Sequence, residues 1–333
     1  MQPTPFTALR VYEEQGRFQR RIETRYTDAL PPGEVLVRVA YSALNYKDAL
    51  SATGNKGVTR HYPHTPGIDA AGWVAASQDS RFAAGMEVVV TSYDLGMNTD
   101  GGWGGYIRVP AAWVLPLPPG MDLREAMILG TAGFTAGLAL HKLERCGLQP
   151  GSGPVVVSGA SGGVGSLATA ILARAGYEVV ASSGKAAARN FLRDLGASQV
   201  IDRSDIQDLS SRPLLRSRWT AAIDTVGGTT LSTLLKTTVR EGSVAACGLV
   251  ATANFDITVF PFILNGVNLL GVDSATCDMP TRQHIWQRLA TDWRIADPTR
   301  LATEVDLHTL DATYIDRILS GETLGRVVVR MGE

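Results

Sequence analysis

Residues 155–165 read Val-Val-Val-Ser-Gly-Ala-Ser-Gly-Gly-Val-Gly, a β-branched run that passes straight into a glycine-rich turn. Leu167, Ile171 and Leu172 follow at helical spacing and predict a helix from Val164 to Ala175. A buried strand, a glycine turn and a helix in that order make the cradle in which dinucleotide-binding folds hold a pyrophosphate. Gly162 and Gly165 allow backbone N–H groups to approach the phosphates and the helix to pack against the strand, and the helix N-terminus adds partial positive charge. Ala160 stands where the usual fingerprint has its first glycine.

An NAD-selecting acid belongs about twenty residues further on, at the end of the second strand. The strand predicted from Tyr177 to Ala181 ends instead in Ser182, Ser183, Gly184 and Lys185, and Arg203 lies just beyond the next strand, Gln199 to Asp202. Hydroxyls and cations suit a 2′-phosphate, so the expected cofactor is NADPH. Glu178 sits at the opposite end of its strand and does not restore an NAD site. Lys185 and Arg203 are equally natural as solvated surface cations.

A chain of 333 residues has room for about two domains. With 31 basic and 32 acidic side chains the net charge is −1, which gives no electrostatic footprint for nucleic acid or an anionic membrane. Arg212, Arg216 and Arg218 fit a solvated loop. There is no charged-then-apolar signal at the N-terminus, and no apolar run approaches the roughly eighteen residues of a membrane span, so a cytoplasmic protein is expected. Cys146, Cys247 and Cys277 are odd in number and far apart, which fits reduced thiols, with Cys247 in a core strand.

Short alternating strands are predicted at Thr7 to Val11, Glu34 to Tyr41, Gly67 to Ala76, Glu87 to Ser92 and Gly105 to Val109, separated by Pro-Gly turn signals. They predict a compact β-barrel-like domain that ends near the proline-rich passage Leu115 to Gly120. From about Ala126 strands alternate with helices, with strands at Ala221 to Asp224, Gly242 to Cys247 and Asn268 to Val272. This alternation specifies an α/β fold with a doubly wound parallel sheet. The last strand, Gly325 to Met331, cannot extend that sheet without another crossover and is expected to return to the first domain. The expected boundaries are 1–125, completed by 297–333, and 126–296.

No metal centre is expected. His61 and His64 lack a third ligand nearby, His141, His284 and His308 are isolated, and the cysteines do not have zinc-site spacing. Charge that develops on a carbonyl oxygen must then be stabilised by side chains or backbone.

Several segments carry a resemblance: Leu44-Asn-Tyr-Lys-Asp-Ala-Leu50, Pro66-Gly-Ile-Asp69, Gly130-Thr-Ala-Gly-Phe-Thr-Ala136 and Ser158 to Gly165. Together they resemble the medium-chain dehydrogenase/reductase superfamily, in its zinc-free quinone oxidoreductase branch. Ala221 to Gly227, Ala245 to Leu249, Pro261 to Leu264 and Gly271 to Ser274 are similar to the acrylyl-CoA reductase group of YhdH type. The resemblance implies a GroES-like β-barrel catalytic domain completed by the C-terminus, a Rossmann domain that binds NADPH, and a homodimer. It also implies reduction of a small-molecule CoA thioester, acrylyl-CoA, to propionyl-CoA. By position it implies cofactor contacts at Tyr46, Ser161, Gly162, Gly163, Val164, Ser183, Gly184, Lys185, Arg203, Leu249, Ile263 and Ser274.

Hydride delivery to the β-carbon of an enoyl thioester pushes negative charge onto the thioester oxygen, and a phenol can donate there or protonate the α-carbon. One preorganised donor is worth about 3 kcal/mol in such sites. Tyr46 is the candidate; the alternative is that it only packs against the nicotinamide or the barrel. Asn45 is a helix cap with Asp48 as third residue and Gly54 as terminator, and a secondary catalytic contact at most. Thr131 and Thr135 lie in a Gly- and Ala-rich helix start that permits either close cofactor approach or tight packing. Asp224 ends a strand at the ligand-binding edge or forms the turn into Thr225-Val-Gly-Gly. Three functions follow: an acrylyl-CoA reductase, a broad NADPH-dependent quinone or enone reductase, and a cofactor-binding protein without turnover.

Overall fold

The computed structural model describes residues 2–332. Strands β1 (Pro5–Glu14) and β2 (Arg17–Tyr26) form an antiparallel ribbon. It turns at Gln15 and Gly16, both at positive φ. The sequence pattern predicts only the centre of β1. Four arginines hide β2, and the fold neutralises three of them: Arg20 pairs with Asp311 at 2.6 Å, Arg21 with Glu14 at 2.8 Å and Arg25 with Asp100 at 2.8 Å.

Then come β3 (Val35–Leu44), α1 (Tyr46–Ala52), β4 (Asp69–Ser77), β5 (Glu87–Thr91), β6 (Tyr106–Val109) and β7 (Leu115–Pro116). Helix α2 (Leu123–Arg145) breaks at Gly130, whose φ of 50° and ψ of −152° are not helical. Beyond it, strands and helices alternate as β8 (Val155–Val157), α3 (Gly163–Arg174), β9 (Val179–Ser182), α4 (Ala188–Asp194), β10 (Gln199–Ile201), β11 (Trp219–Asp224), α5 (Gly228–Thr237), β12 (Thr238–Ala246), α6 (Phe260–Asn265) and β13 (Asn268–Gly271). Helix α7 (Met279–Ala290), β14 (Ala302–Val305) and β15 (Arg326–Arg330) follow.

The chain divides into two compact units. One is made of the described residues of Met1–Thr131, Ala275–His284 and Asp297–Glu333, the other of Ala132–Ser274 and Ile285–Ala296. The first unit holds a mixed sheet in the order β14-β15-β3-β4-β5-β7, with β6 also on β3. Strand β15 runs antiparallel to β3, with Val328 opposite Ala43, so the C-terminus is part of this sheet. Leu9, Val37, Trp103, Ile107 and Val327 belong to its core. Trp103 is fully buried and donates its indole N–H to the carbonyl of Ala43 at 3.2 Å.

The second unit holds a six-stranded sheet in the order β10-β9-β8-β11-β12-β13, parallel throughout. Numbered from β8, this is the 3-2-1-4-5-6 order of dinucleotide-binding folds, and the winding direction reverses between β8 and β11. Val156, Val180, Ala222, Leu234 and Val244 build its core.

Helix α2 is long and apolar enough to cross a membrane by length and composition, with a mean hydropathy of 1.2 over its best window, although no uninterrupted apolar run is present. That window is 83% buried, which marks an interior helix of a globular fold. Replacing Trp103 by Ala should cost about 3–5 kcal/mol in denaturant unfolding, because a large cavity is left in the core; a loss below about 1 kcal/mol would show that the first unit does not depend on this packing.

Candidate functional site

In the second unit the chain leaves β8 through Ser158 and enters α3 with Gly162 as its N-cap. Gly159 has φ 56°, and a Cβ on Gly165 would lie 2.3 Å from the carbonyl oxygen of Gly159 and 2.7 Å from the Cα of Ala160. Only a glycine fits there, so the helix start packs directly on the turn, with Gly163 and Val164 in its first turn. Ala160 is not at positive φ and needs no glycine; its N–H donates to the carbonyl of Ser182 at 2.9 Å, tying the turn to the end of β9.

That end carries the hydroxyl and cation group. Ser183 donates its hydroxyl to Ser161 Oγ at 3.0 Å and accepts the backbone N–H of Lys185 at 3.2 Å. Gly184 makes room for Arg203: a Cβ there would meet the Arg203 side chain at 2.8 Å. The carboxylate at the end of β10, Asp202, is engaged by the N–H and hydroxyl of Ser204 at 3.0 and 2.9 Å. Gly-lined backbone, two hydroxyls and a guanidinium, with no free acid at the end of β9, fit a dinucleotide that carries a 2′-phosphate. Thr135 donates to Ser274 Oγ at 2.8 Å. Leu249 and Ile263 are exposed and stand outside this hydrogen-bonded group.

Asp224 takes its structural role. Its carboxylate accepts from Ser158 Oγ at 2.6 Å and from the N–H groups of Val226 and Gly227, so it builds the turn, and burial pushes its pKa upward. Cys247 lies just past β12, half-buried, with its thiol 3.3 Å from the carbonyl of Asp224; burial pushes it up to about 12, which leaves it unreactive.

The remaining expected residues lie in the first unit, around a buried ion cluster. Asp48 and Asp69 are 0% exposed and Arg326 is 2% exposed. Asp48 accepts the backbone N–H of Asn45 at 2.8 Å, as a capping box requires, and that of Ile68 at 2.8 Å. The Asn45 side chain goes further than capping: its amide N–H donates to Asp69 at 2.8 Å and its carbonyl accepts from Arg326 at 3.0 Å. Thr131 gives both its N–H (3.0 Å) and its hydroxyl (2.6 Å) to Asp69, and also shares a 2.9 Å bond with Ser92. Its hydroxyl is therefore engaged by protein groups. Tyr46, the first residue of α1, is 42% exposed.

Sequence reasoning missed Asp69 and Arg326 as site residues. Asp69 is legible only inside the Pro-Gly-Ile-Asp segment, and Arg326 only as an unexplained cation opening an apolar strand. Burial, and after it the neighbouring Asp69, lift Asp48 to about 7, while burial lowers the Arg326 guanidinium against the support of both carboxylates. The folded protein thus holds a proton on Asp48 between about pH 4 and pH 7 that the unfolded chain has released, so this group makes stability fall as pH rises through that window. Asp48→Asn should flatten the fall in melting temperature between about pH 4 and pH 7; an unchanged slope would exclude Asp48 as its source.

Two domain families match the chain: an alcohol dehydrogenase GroES-like domain over residues 31–119 and a zinc-binding dehydrogenase domain over residues 163–292. Among the described residues no three His, Cys, Asp or Glu side chains come together to hold a metal ion, so the residues present do not fit a zinc centre. The acrylyl-CoA reductase AcuI of Ruegeria pomeroyi is 46% identical over 95% of this chain and 96% of its own. YhfP of Bacillus subtilis, which carries a quinone oxidoreductase name, is 44% identical over 98% of this chain and 99% of its own. The structure of YhfP with NAD bound superposes with a TM-score of 0.96. The yhdH oxidoreductase of Salmonella enterica in complex with NADP is 42% identical over 98% of this chain and all of its own, with a TM-score of 0.95.

The fold and its glycine cradle thus define an oxidoreductase built from a GroES-like domain and a Rossmann domain. The chain belongs to the medium-chain dehydrogenase/reductase family and is an acrylyl-CoA reductase-type protein like AcuI and YhdH.

Proposed function

We propose that this protein reduces the carbon–carbon double bond of acrylyl-CoA to give propionyl-CoA, using NADPH and no metal. The observation that carries the cofactor half is the end of β9, where Ser161, Ser183, Gly184 and Arg203 gather and the strand runs into Ser183-Gly184-Lys185 with no acidic residue to accept ribose hydroxyls. The substrate half rests on the near full-length likeness to AcuI. When bound, the reduced nicotinamide supplies the hydride that goes to the β-carbon. The chain's own part is to hold the dinucleotide through the α3 cradle, with Thr131, Thr135, Leu249, Ile263 and Ser274 as further contacts, and to answer the charge that grows on the thioester oxygen. Tyr46 donates to that oxygen or delivers the proton to the α-carbon, and Asn45 supports it. The protein acts in the cytoplasm, as a homodimer joined through the apolar segment from Pro261 to Val272, where β13 is one of the two edges of the parallel sheet.

A broad quinone or enone reductase is the second reading, favoured by the YhfP likeness. Following the loss of reduced-nicotinamide absorbance with acrylyl-CoA, crotonyl-CoA and a quinone separates them. The thioester reductase requires acrylyl-CoA to be turned over fastest; a faster quinone would favour the second reading, and NADPH binding without any turnover would leave only the cofactor site.

Lys185→Ala combined with Arg203→Ala should raise KM for NADPH far more than KM for NADH, and equal changes would remove the 2′-phosphate assignment. For Tyr46→Phe we expect at least about a tenfold loss of kcat with the fold intact, as befits a lost transition-state donor; a loss under about threefold would exclude an essential one.

A further inference from the structure

We propose that Arg326 is a positioning residue for this reaction, holding the Leu44–Asn45 turn that presents Tyr46. The proposal rests on Tyr46 acting as the donor. Arg326 lies on β15, 281 residues from Asn45, yet its Nη1 donates both to the Leu44 carbonyl at 3.2 Å and to Asn45 Oδ1 at 3.0 Å. Its Nε donates to the Ile128 carbonyl at 3.0 Å, and its Nη2 stands 3.6 Å from Asp69 Oδ2.

Both ends of the Asn45 amide are engaged, the carbonyl by a cation and the N–H by an anion. A flipped amide would set its N–H against the guanidinium and its oxygen against the carboxylate, so the side chain has one acceptable orientation. Helix α1 has seven residues, too few to be stable alone, so tertiary contacts must fix where it starts. Tyr46 is its first residue and follows Asn45 directly. The same guanidinium bonds Ile128, two residues before the break at Gly130, where a Cβ would stand 2.4 Å from Asp69 and 3.1 Å from Arg326. One planar fork therefore sets the approach to Tyr46 and the corner at Thr131 together. A lysine would keep the charge and lose the fork.

The test is a double-mutant cycle of Arg326→Lys and Tyr46→Phe, read as kcat, KM and NADPH dissociation constant with the best substrate of the panel above, with circular dichroism to verify folding. Arg326→Lys should lower kcat about tenfold, and the double variant should be no slower than Tyr46→Phe within about twofold, because both changes disable one group. Losses that multiply, or an unchanged kcat in Arg326→Lys, overturn the proposal. A Tyr46→Phe loss under about threefold overturns the donor reading itself, and this inference with it. If Arg326→Lys does not fold, Asn45→Ala removes the same side-chain link while leaving Arg326 beside Asp69, and the identical cycle with Tyr46→Phe decides.

Discussion

The Asp69–Arg326 pair is the constraint on which the first unit is organised. A guanidinium and a carboxylate held away from water are tolerated only when nearly every donor and acceptor around them is used. The fold goes most of the way by drawing in Leu44, Asn45, Ile128 and Thr131 from two segments far apart in sequence, and leaves only Nη2 of the guanidinium without a hydrogen bond. Strand β15 must lie on β3 for Arg326 to reach them, and α2 must break at Gly130 for the cluster to fit. The pair is weak evidence for stability in itself; its effect is to specify one arrangement of the turn before α1 and of the corner in α2.

Asp48 adds a second carboxyl to this cluster and so makes it sensitive to protons. Two acids and one guanidinium leave one negative charge too many in a dry setting, and the proton that Asp48 keeps up to about pH 7 is the response. In the cofactor cradle proposed for the second unit, backbone N–H groups at the start of α3, hydroxyls, and side-chain cations at the ends of β9 and β10 would meet an anion at little desolvation cost.

The cradle was legible in the sequence because its chemistry is local. The steric need for Gly165, the run of Val155 to Val157 and the Ser183-Gly184-Lys185 end of β9 lie within short stretches whose spacing reflects their geometry. Asn45 and Asp48 were half legible: their spacing signals a cap, and the bond from Asn45 N–H to Asp48 is there, but the amide of Asn45 faces partners that no local pattern reveals. Strand β2 was hidden because its arginines find acids on other segments, so its polarity reflects long-range pairing.

The sequence by itself determined the parallel, doubly wound half of the protein and the hydroxyl-and-cation end of its second strand, since periodicity and glycine placement act between near neighbours. Only the tertiary structure decided that Asp224 is a turn residue, that Thr131 spends its hydroxyl on Asp69, and that the arginine opening the last strand reaches the turn before Tyr46. Those outcomes depend on which residues become buried together, and the cost of burying a charge is settled by partners hundreds of residues away.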